Sequence, residues 1–192
     1  MSRSNRERTE STVSALIEAA RALFVEKGYV ETATPDIVAA AGVTRGALYH
    51  HFEDKKALFR AVVEREAQAV AAAIEERAAP AGSPREALLA GAAAYFDAMA
   101  KEGRTRLMLL DGPAVLGFAS IGAIDSENAE GTLRDGLAAA LAAAGKSDRL
   151  IGALTALLSA AFDRAAIAIE AGESRADLET AIATLADGLL KP

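Results

Sequence analysis

Two short helical segments joined by a turn that contains one glycine constrain the fold of this chain most strongly. Thr34 supplies an N-cap hydroxyl and is followed by a proline and an acidic residue, which predicts a helix over residues 35–41. Gly42 ends that helix, and Thr44 is placed to cap a second one over residues 45–51. Helices this short need neighbours to cover their apolar sides, so the pair predicts a helix-turn-helix unit.

The apolar and small residues of this unit are expected to pack within it. Ala39 and Ala40 are small where the two short helices are expected to cross closely. Ile37, Val43 and Leu48 are expected to form the core of the unit. We therefore assign these five residues structural roles.

A longer helix is predicted on each side of the unit. Apolar residues at helical spacing run over residues 8–27, and Gly28 follows where a C-terminal glycine is typical. Asp54 is placed to cap a helix over about 54–78, which ends at the turn-rich segment 78–84. The short helices are therefore held between two long ones.

The remainder of the chain also has helical patterns, and alanine is abundant while β-branched runs are few. Helices are predicted over residues 84–101, 104–111, 113–144, 148–171 and 175–190. Four glycines and a polar patch in 113–144 leave open a broken or kinked helix there. We expect an all-α fold, with an N-terminal three-helix head in residues 1–53 and a C-terminal helical body in residues 54–192, connected by the helix over 54–78.

Residue types exclude several classes of site. There is no cysteine, and His50 and His51 are neighbours that face different directions on a helix, so we expect no disulfide, no metal site and no cofactor. No phosphate-binding glycine loop or nucleophile elbow is found, so an enzyme is not expected. The first ten residues are charged, and no stretch approaches the ~20 apolar residues of a membrane span, which predicts a cytoplasmic protein.

Charge is distributed unevenly along the chain. Residues 1–60 hold nine basic and eight acidic residues, a net charge of +1, whereas the remaining residues hold 12 basic and 19 acidic ones, a net charge of −7. An acidic body with a less acidic head suits a protein that touches DNA only at its head, although an ordinary solvated surface could produce the same asymmetry.

Polar residues around the second short helix have the chemistry of DNA contacts. Thr44 and Arg45 can bind base edges in a major groove, and Gly46 lets the backbone approach the DNA. Tyr49, His50 and Lys55 are suited to phosphate oxygens. The expected DNA-binding set is Thr34, Thr44, Arg45, Gly46, Tyr49, His50 and Lys55.

These segments resemble the TetR family of regulators. The resemblance covers roughly residues 12–63 and rests on Ala22-Leu23-Phe24, Gly28-Tyr29, Thr34, Ile37, the run Ala40-Ala41-Gly42-Val43-Thr44-Arg45-Gly46-Ala47-Leu48-Tyr49-His50-His51-Phe52, and Lys55. Ala33 departs from the pattern, because many members have a hydroxyl residue before this helix. Beyond residue 80 the resemblance implies a helical ligand-binding and dimerisation body without assigning residues.

The resemblance implies a DNA-binding transcriptional regulator, with a repressor released from its operator by a small apolar ligand as the leading hypothesis. Its expected partners are double-stranded operator DNA, a small-molecule effector and a second copy of the chain as a homodimer. The alternative is a helical small-molecule-binding or interaction protein that keeps the fold without binding DNA.

Candidate effector-binding residues are mainly aromatic and methionine side chains in the body: Tyr95, Phe96, Met99, Met108, Asp111, Phe118 and Phe162. Ordinary core packing is the alternative for the apolar members of this set. Asp111, Asp163 and Arg164 interrupt apolar stretches, so they could line a pocket or form a structural ion pair.

The last two helices each have an apolar stripe. One consists of Leu150, Leu154, Leu157, Ala161 and Ala165, and the other of Leu178, Ile182, Leu185 and Leu189. Two such stripes would form a symmetric four-helix contact in a homodimer.

Overall fold

The computed structural model describes residues 5–190, and over this range the all-α prediction is confirmed. Its α-helices are α1 (Asn5–Glu31), α2 (Thr34–Ala41), α3 (Arg45–His51), α4 (Lys55–Ala78), α5 (Pro84–Met99), α6 (Gly112–Leu116), α7 (Phe118–Ser126), α8 (Ala129–Ala143), α9 (Ile151–Glu170) and α10 (Arg175–Leu190). A π-helical segment, Arg106–Asp111, precedes α6.

The core of the head is closed by α4. Phe24 of α1, Ile37 of α2 and Leu48 of α3 are fully buried together with Leu58 and Phe59 at the start of α4. Burying large apolar side chains is the main favourable contribution to such packing. The short helices are therefore fixed to the long helix that continues into the body.

A second core fills the body between α4, α5, α8, α9 and α10. Its buried residues include Val70 of α4, Phe96 of α5, Leu137 of α8, Phe162 of α9 and Ile182 of α10. Because α4 contributes to both cores, it is the direct mechanical connection between the head and the body.

The helix predicted over residues 113–144, for which the sequence leaves a break or kink open, is broken. Gly117 has φ 87° and separates α6 from α7, and the chain leaves the helical conformation again before α8. The side-chain amide of Asn128 donates a hydrogen bond to the carbonyl of Ile124 at the end of α7. The glycines and the polar patch therefore divide this segment into three helices.

The break predicted at Gly112-Pro113 is wrong, because the chain remains helical through these two residues. The Gly112 N–H donates to the carbonyl of Leu107, five residues earlier, which is the spacing of a π-helix. Proline has no N–H, and its ring crowds the carbonyl four residues earlier in an α-helix. The wider π-helical turn before Pro113 lets the helix pass through this position.

Candidate DNA interface and effector cavity

The turn between α2 and α3 has the geometry that its sequence predicts. Gly42 is left-handed with φ 65°, and the N–H of Val43 donates to the carbonyl of Val38. The Thr44 hydroxyl accepts a hydrogen bond from the Ala47 N–H at 3.2 Å and so caps α3. These contacts hold the N-terminus of α3 at the surface.

The start of α2 differs from the prediction by one residue. Ala33 occupies the N-cap position, with no side-chain cap, and Thr34 is already helical. The Thr34 hydroxyl lies near the phenol of Tyr49 and lowers its pKa. Thr34 is therefore close to α3, and the N-terminus of α2 has no side-chain acceptor.

An exposed polar surface runs along α3. Arg45, Gly46, Tyr49 and His50 are all exposed, and the Arg45 guanidinium lies 5.5 Å from the centre of the Tyr49 ring. Hydrogen bonds from Thr34 and then Arg45 lower the pKa of Tyr49. This surface offers cationic and hydroxyl groups to an anionic partner.

Ala39 and Ala40 do not lie at the crossing of the two short helices, since both are exposed. Val38, Ala41 and Val43 pack against the core of the head instead. The predicted contact residues are therefore displaced by one position from the residues that face the core. A shift of one position rotates a helical side chain by about 100°, which is enough to turn it to the solvent.

Lys55 is half-buried, and its ammonium hydrogen-bonds to backbone carbonyls at the end of α1. Its Nζ donates to the carbonyls of Tyr29 at 2.8 Å and Thr32 at 2.9 Å, and it lies 4.3 Å from the centre of the Tyr29 ring. The buried hydroxyl of Thr32 donates to the Gly28 carbonyl at 2.7 Å. Lys55 and Thr32 thus satisfy carbonyls that the end of α1 leaves open.

A buried carboxylate joins the head to the body, and sequence reasoning missed it. Glu66 of α4 is 3% exposed and binds Arg21 of α1, Lys101 and Arg104 at distances of 2.7 to 3.2 Å. Burial alone would raise the pKa of Glu66, but hydrogen bonds from these three cations lower it to about 2. A charged residue among the inward-facing valines of α4 was the available signal.

The end of α1 also lies directly against the segment that precedes α6. A Cβ on Gly103 would lie 2.6 Å from both methyl carbons of Val25, and one on Gly28 would lie 2.7 Å from Nη2 of Arg106. Both glycines have positive φ, at 71° and 82°. Only glycine fits this approach without displacement of a neighbour, so the two segments are in close contact here.

A cavity of about 80 Å³ lies between α4, α5, α8 and α9. Its walls are mainly apolar and include Ile74, Leu88, Tyr95, Leu133 and Phe162. A second cavity of about 40 Å³ extends towards the π-helical segment, and the two share Tyr95, Asp125, Ala129 and Asp163. The shared residues place a polar group of side chains where the cavities meet.

This polar group consists of two carboxyls and two hydroxyls. The Tyr95 hydroxyl donates to Asp163 at 2.7 Å, and the Ser159 hydroxyl donates to Asp125 at 3.3 Å. Burial, followed by the negative charges of Asp163 and Glu130, raises the pKa of Asp125 to about 6. Burial also raises the pKa of Asp163 and, with the Asp163 charge, raises the pKa of Tyr95 well above its ordinary value.

The predicted effector residues are divided among several places. Tyr95 and Phe162 line the larger cavity and Met108 lines the smaller one, whereas Phe96 and Met99 line a separate groove at the end of α5. Asp111 lies 3.4 Å from Arg106, away from the cavities, and Phe118 is 83% exposed. Neither Asp111 nor Phe118 lines the two cavities, which corrects the prediction: Asp111 is directed to Arg106, and Phe118 follows the helix break at Gly117.

The sequence left open whether Asp163 lines a pocket or forms a structural ion pair. In the structure Asp163 lines the cavity. Asp125 was missed, because its polar patch was interpreted as a helix break.

The faces of α9 and α10 that point away from the body are apolar and exposed. Leu157 is 70% exposed, Leu185 is 56% exposed and Leu150 is 55% exposed. Ile182 and Ala165 instead belong to the core, and Leu154, Ala161, Leu178 and Leu189 are half-buried.

Helix α9 is long and apolar enough to cross a membrane by length and composition alone, with a mean hydropathy of 1.4. This differs from the expectation that no segment of the chain approaches the length of a membrane span.

Two family models match the chain. "Bacterial regulatory proteins, tetR family" matches residues 16–62, and "Tetracyclin repressor-like, C-terminal domain" matches residues 85–191, which is more than half of the chain. The chain belongs to the TetR family. The two matches correspond to the head with the start of α4 and to the body from α5 onward.

Individual TetR-family relatives resemble this chain to different extents. The HTH-type transcriptional regulator TtgR of Pseudomonas putida is 34% identical over 111 residues, which are 55% of this chain and 51% of that protein. The Transposon Tn10 TetC protein of Escherichia coli is 49% identical over 55 residues, 29% of this chain and 28% of that protein. The chain thus spans about half or less of these curated relatives. A TetR-family transcriptional regulator from Pectobacterium atrosepticum has a solved structure with TM-score 0.73 and 28% identity, covering 98% of this chain and 96% of that one.

Proposed function

We propose that this protein is a cytoplasmic transcriptional repressor that binds operator DNA as a homodimer and is released by a small-molecule effector. The observation that carries the proposal is the exposed N-terminal part of α3, where Arg45 and Tyr49 project from a well-capped helix. A helix presented in this way fits a major groove, with its first residues against base edges.

Arg45 is the proposed base-reading residue, because a guanidinium can donate two hydrogen bonds to a guanine edge. Thr44 and Gly46 lie beside it at the start of α3. Tyr49, His50 and Thr34 are proposed phosphate contacts, supported by the uncapped N-terminus of α2 next to Thr34. Lys55 acts indirectly, by holding the end of α1 against the head.

A homodimer is proposed through the outer faces of α9 and α10. Leu157 and Leu185 are large apolar side chains that water covers in the single chain. A symmetric pair of these helices would bury both leucines, and alanines along α9 would allow close approach. Two heads in one dimer bind two half-sites about one helical turn apart, so we expect a pseudo-palindromic operator.

Release by the effector is proposed to act through Glu66 and the segment after α5. The smaller cavity is lined by Met108 and Leu109 of the π-helical segment, which begins two residues after Arg104. A ligand that shifts this segment or α4 alters the contacts of Glu66 with Arg21, and hence the position of α1. The effector favours the DNA-free arrangement only by its higher affinity for that arrangement.

A gel-shift titration with the DNA that flanks the protein's own gene tests the proposal. We expect a retarded complex whose affinity falls steeply as salt rises, because phosphate contacts release counterions. A random duplex of equal length is the matched control and should bind more weakly. Absence of any salt-sensitive complex would instead support a helical carrier or interaction protein that does not use DNA.

A further inference from the structure

Among the described residues, the polar group in the proposed effector cavity contains acidic side chains and no basic ones. Asp125 and Asp163 both line the two cavities where these meet, and Glu130 adds a third negative charge nearby. The groups that hydrogen-bond to the two aspartates are neutral, namely the hydroxyls of Ser159 and Tyr95 and a backbone N–H. In the part of the chain that the structure describes, no lysine or arginine forms an ion pair with either aspartate.

The walls around these carboxyls are apolar and aromatic. Ile74, Leu88 and Leu133 line one side of the larger cavity. The rings of Tyr95 and Phe162 lie 5.5 Å apart, centre to centre. Partly desolvated carboxylates without a cation are costly, whereas a positive ligand in this place gains both ionic hydrogen bonds and contact with aromatic faces.

We propose that the effector is a protonated organic amine with a compact apolar body, its ammonium lying between Asp125 and Asp163. The inference rests on the proposed function, since it names the chemical class of the ligand that acts on that site. An anionic ligand would be repelled by the two carboxyls that line the cavity, and a neutral ligand would leave their negative charge without a counter-ion. The apolar body lies along Ile74, Leu88 and Leu133.

The dimensions of the cavity favour a small ligand over a metal ion or an extended chain. The volume of about 80 Å³, with the adjoining cavity of about 40 Å³, limits the apolar body of the ligand to at most a single ring or a short alkyl chain. Among residues 5–190 no three His, Cys, Asp or Glu side chains are grouped so as to hold a metal ion. A compact amine therefore matches both the charge and the shape of the site.

The test compares benzylamine, which is protonated at pH 7, with benzyl alcohol, a neutral molecule of nearly the same size. Each is titrated into the full-length protein without DNA, and binding is followed by NMR chemical shifts. We expect benzylamine to bind about tenfold more tightly than benzyl alcohol, because the alcohol cannot form charge-assisted hydrogen bonds. Equal affinities, or no binding of benzylamine to the folded protein, would overturn the proposal.

Neutral variants identify the carboxyls responsible. Asp125→Asn and Asp163→Asn should each weaken benzylamine about tenfold while changing benzyl alcohol less than about twofold. Asp135→Asn is the matched control, since Asp135 is exposed on α8 outside the cavity and should leave both affinities unchanged. Unchanged benzylamine binding in both cavity variants would overturn the proposal.

Gel shifts without ligand, performed on the same variants, separate this proposal from the function it rests on. We expect DNA binding in all of them, because the cavity lies in the body. Salt-sensitive DNA binding by wild type together with equal affinities for the amine and the alcohol would refute the amine alone. Loss of DNA binding in wild type would refute the repressor, whatever the ligand result.

Discussion

The carboxylate of Glu66 accepts a hydrogen bond from the guanidinium of Arg104 at 2.7 Å, although both side chains are almost entirely buried. Arg21 of the head binds the same carboxylate. A buried charge is tolerated only when it is paired, so this contact holds α1, α4 and the segment after α5 in one arrangement. We regard it as the point where a change in the body reaches the DNA-binding head.

Replacing Glu66 should destabilise the protein strongly. Glu66→Gln leaves the buried guanidinium of Arg104, the half-buried guanidinium of Arg21 and the ammonium of Lys101 without their anion, so we expect a loss of about 3 kcal/mol in the free energy of unfolding. Urea denaturation followed by circular dichroism measures this. Glu64→Gln on the same helix is the control, because its pair with Arg60 is solvent-exposed and contributes at most about 0.5 kcal/mol. A difference of less than about 1 kcal/mol between the two variants would contradict the assigned role.

The pH dependence of stability should carry the signature of Glu66. Its pKa is about 2 in the folded protein against an ordinary 4.5, so its stabilising contribution is fully present above pH 4.5. That contribution is lost as the pH falls from 4.5 towards 2. Urea denaturation at several pH values should show a steeper acid loss for wild type than for Glu66→Gln. Parallel curves for the two proteins would contradict the low pKa.

Asp125 should have the opposite effect on stability. Its pKa is raised from 3.8 to about 6, so the folded protein loses stability as the pH rises through this range. The groups that face it are Asp163 and Ser159 of α9 and Glu130 of α8. We expect Asp125→Asn to be about 1 kcal/mol more stable than wild type at pH 7, after the free energy of the pKa shift is discounted for solvent screening. Below pH 3.8 the carboxyl of wild type is protonated in the folded and the unfolded protein, so this advantage of the variant disappears. Thermal unfolding at both pH values tests this, and a variant less stable at pH 7 would argue against it.

Lys55 and the adjacent Lys56 should respond differently to removal. Lys55→Ala removes hydrogen bonds to the end of α1 and should cost about 1–3 kcal/mol of stability, with an unchanged salt slope of DNA binding. Lys56 is exposed, and Lys56→Ala should change stability by less than about 0.5 kcal/mol. Denaturation and salt-dependent gel shifts together measure both quantities. If Lys55→Ala kept full stability and reduced the salt slope by about one, Lys55 would be a phosphate contact after all.

The proposed dimer depends on leucines that the single chain leaves exposed. Leu157→Glu should produce a monomer in analytical ultracentrifugation at micromolar concentration, because two glutamates would meet at the symmetric interface. Leu110→Glu is the control, since Leu110 is also exposed but belongs to the π-helical segment and not to α9 or α10. A dimer that survives Leu157→Glu with undiminished affinity would place the interface elsewhere.

Features set by neighbouring residues could be predicted from the sequence. The Gly42 turn and the caps by Thr44 and Asp54 follow from local backbone chemistry, and the structure confirms all three. The partners of Lys55 and Glu66 could not be predicted in the same way, because each contact joins residues more than 20 positions apart.

The cavity could not be predicted from the sequence either, because its residues are distant from one another along the chain. Asp163 is recognisable as an acidic residue in an apolar helix, but its proximity to Asp125 depends on the break between α7 and α8. That break places the end of α7 beside α9, and no local pattern specifies the packing of one helix against another. The carboxyls of the cavity therefore emerged only from the folded chain.

The most direct test of the account is whether Arg45 reads the operator sequence. Binding of wild type and Arg45→Ala is measured on the operator and on a set of duplexes that each carry one base-pair change. We expect Arg45→Ala to lose about 1–3 kcal/mol on the operator and to become indifferent to one base pair in each half-site. If Arg45→Ala retained the full sequence preference of wild type, α3 would not be the reading helix and the central claim would be wrong.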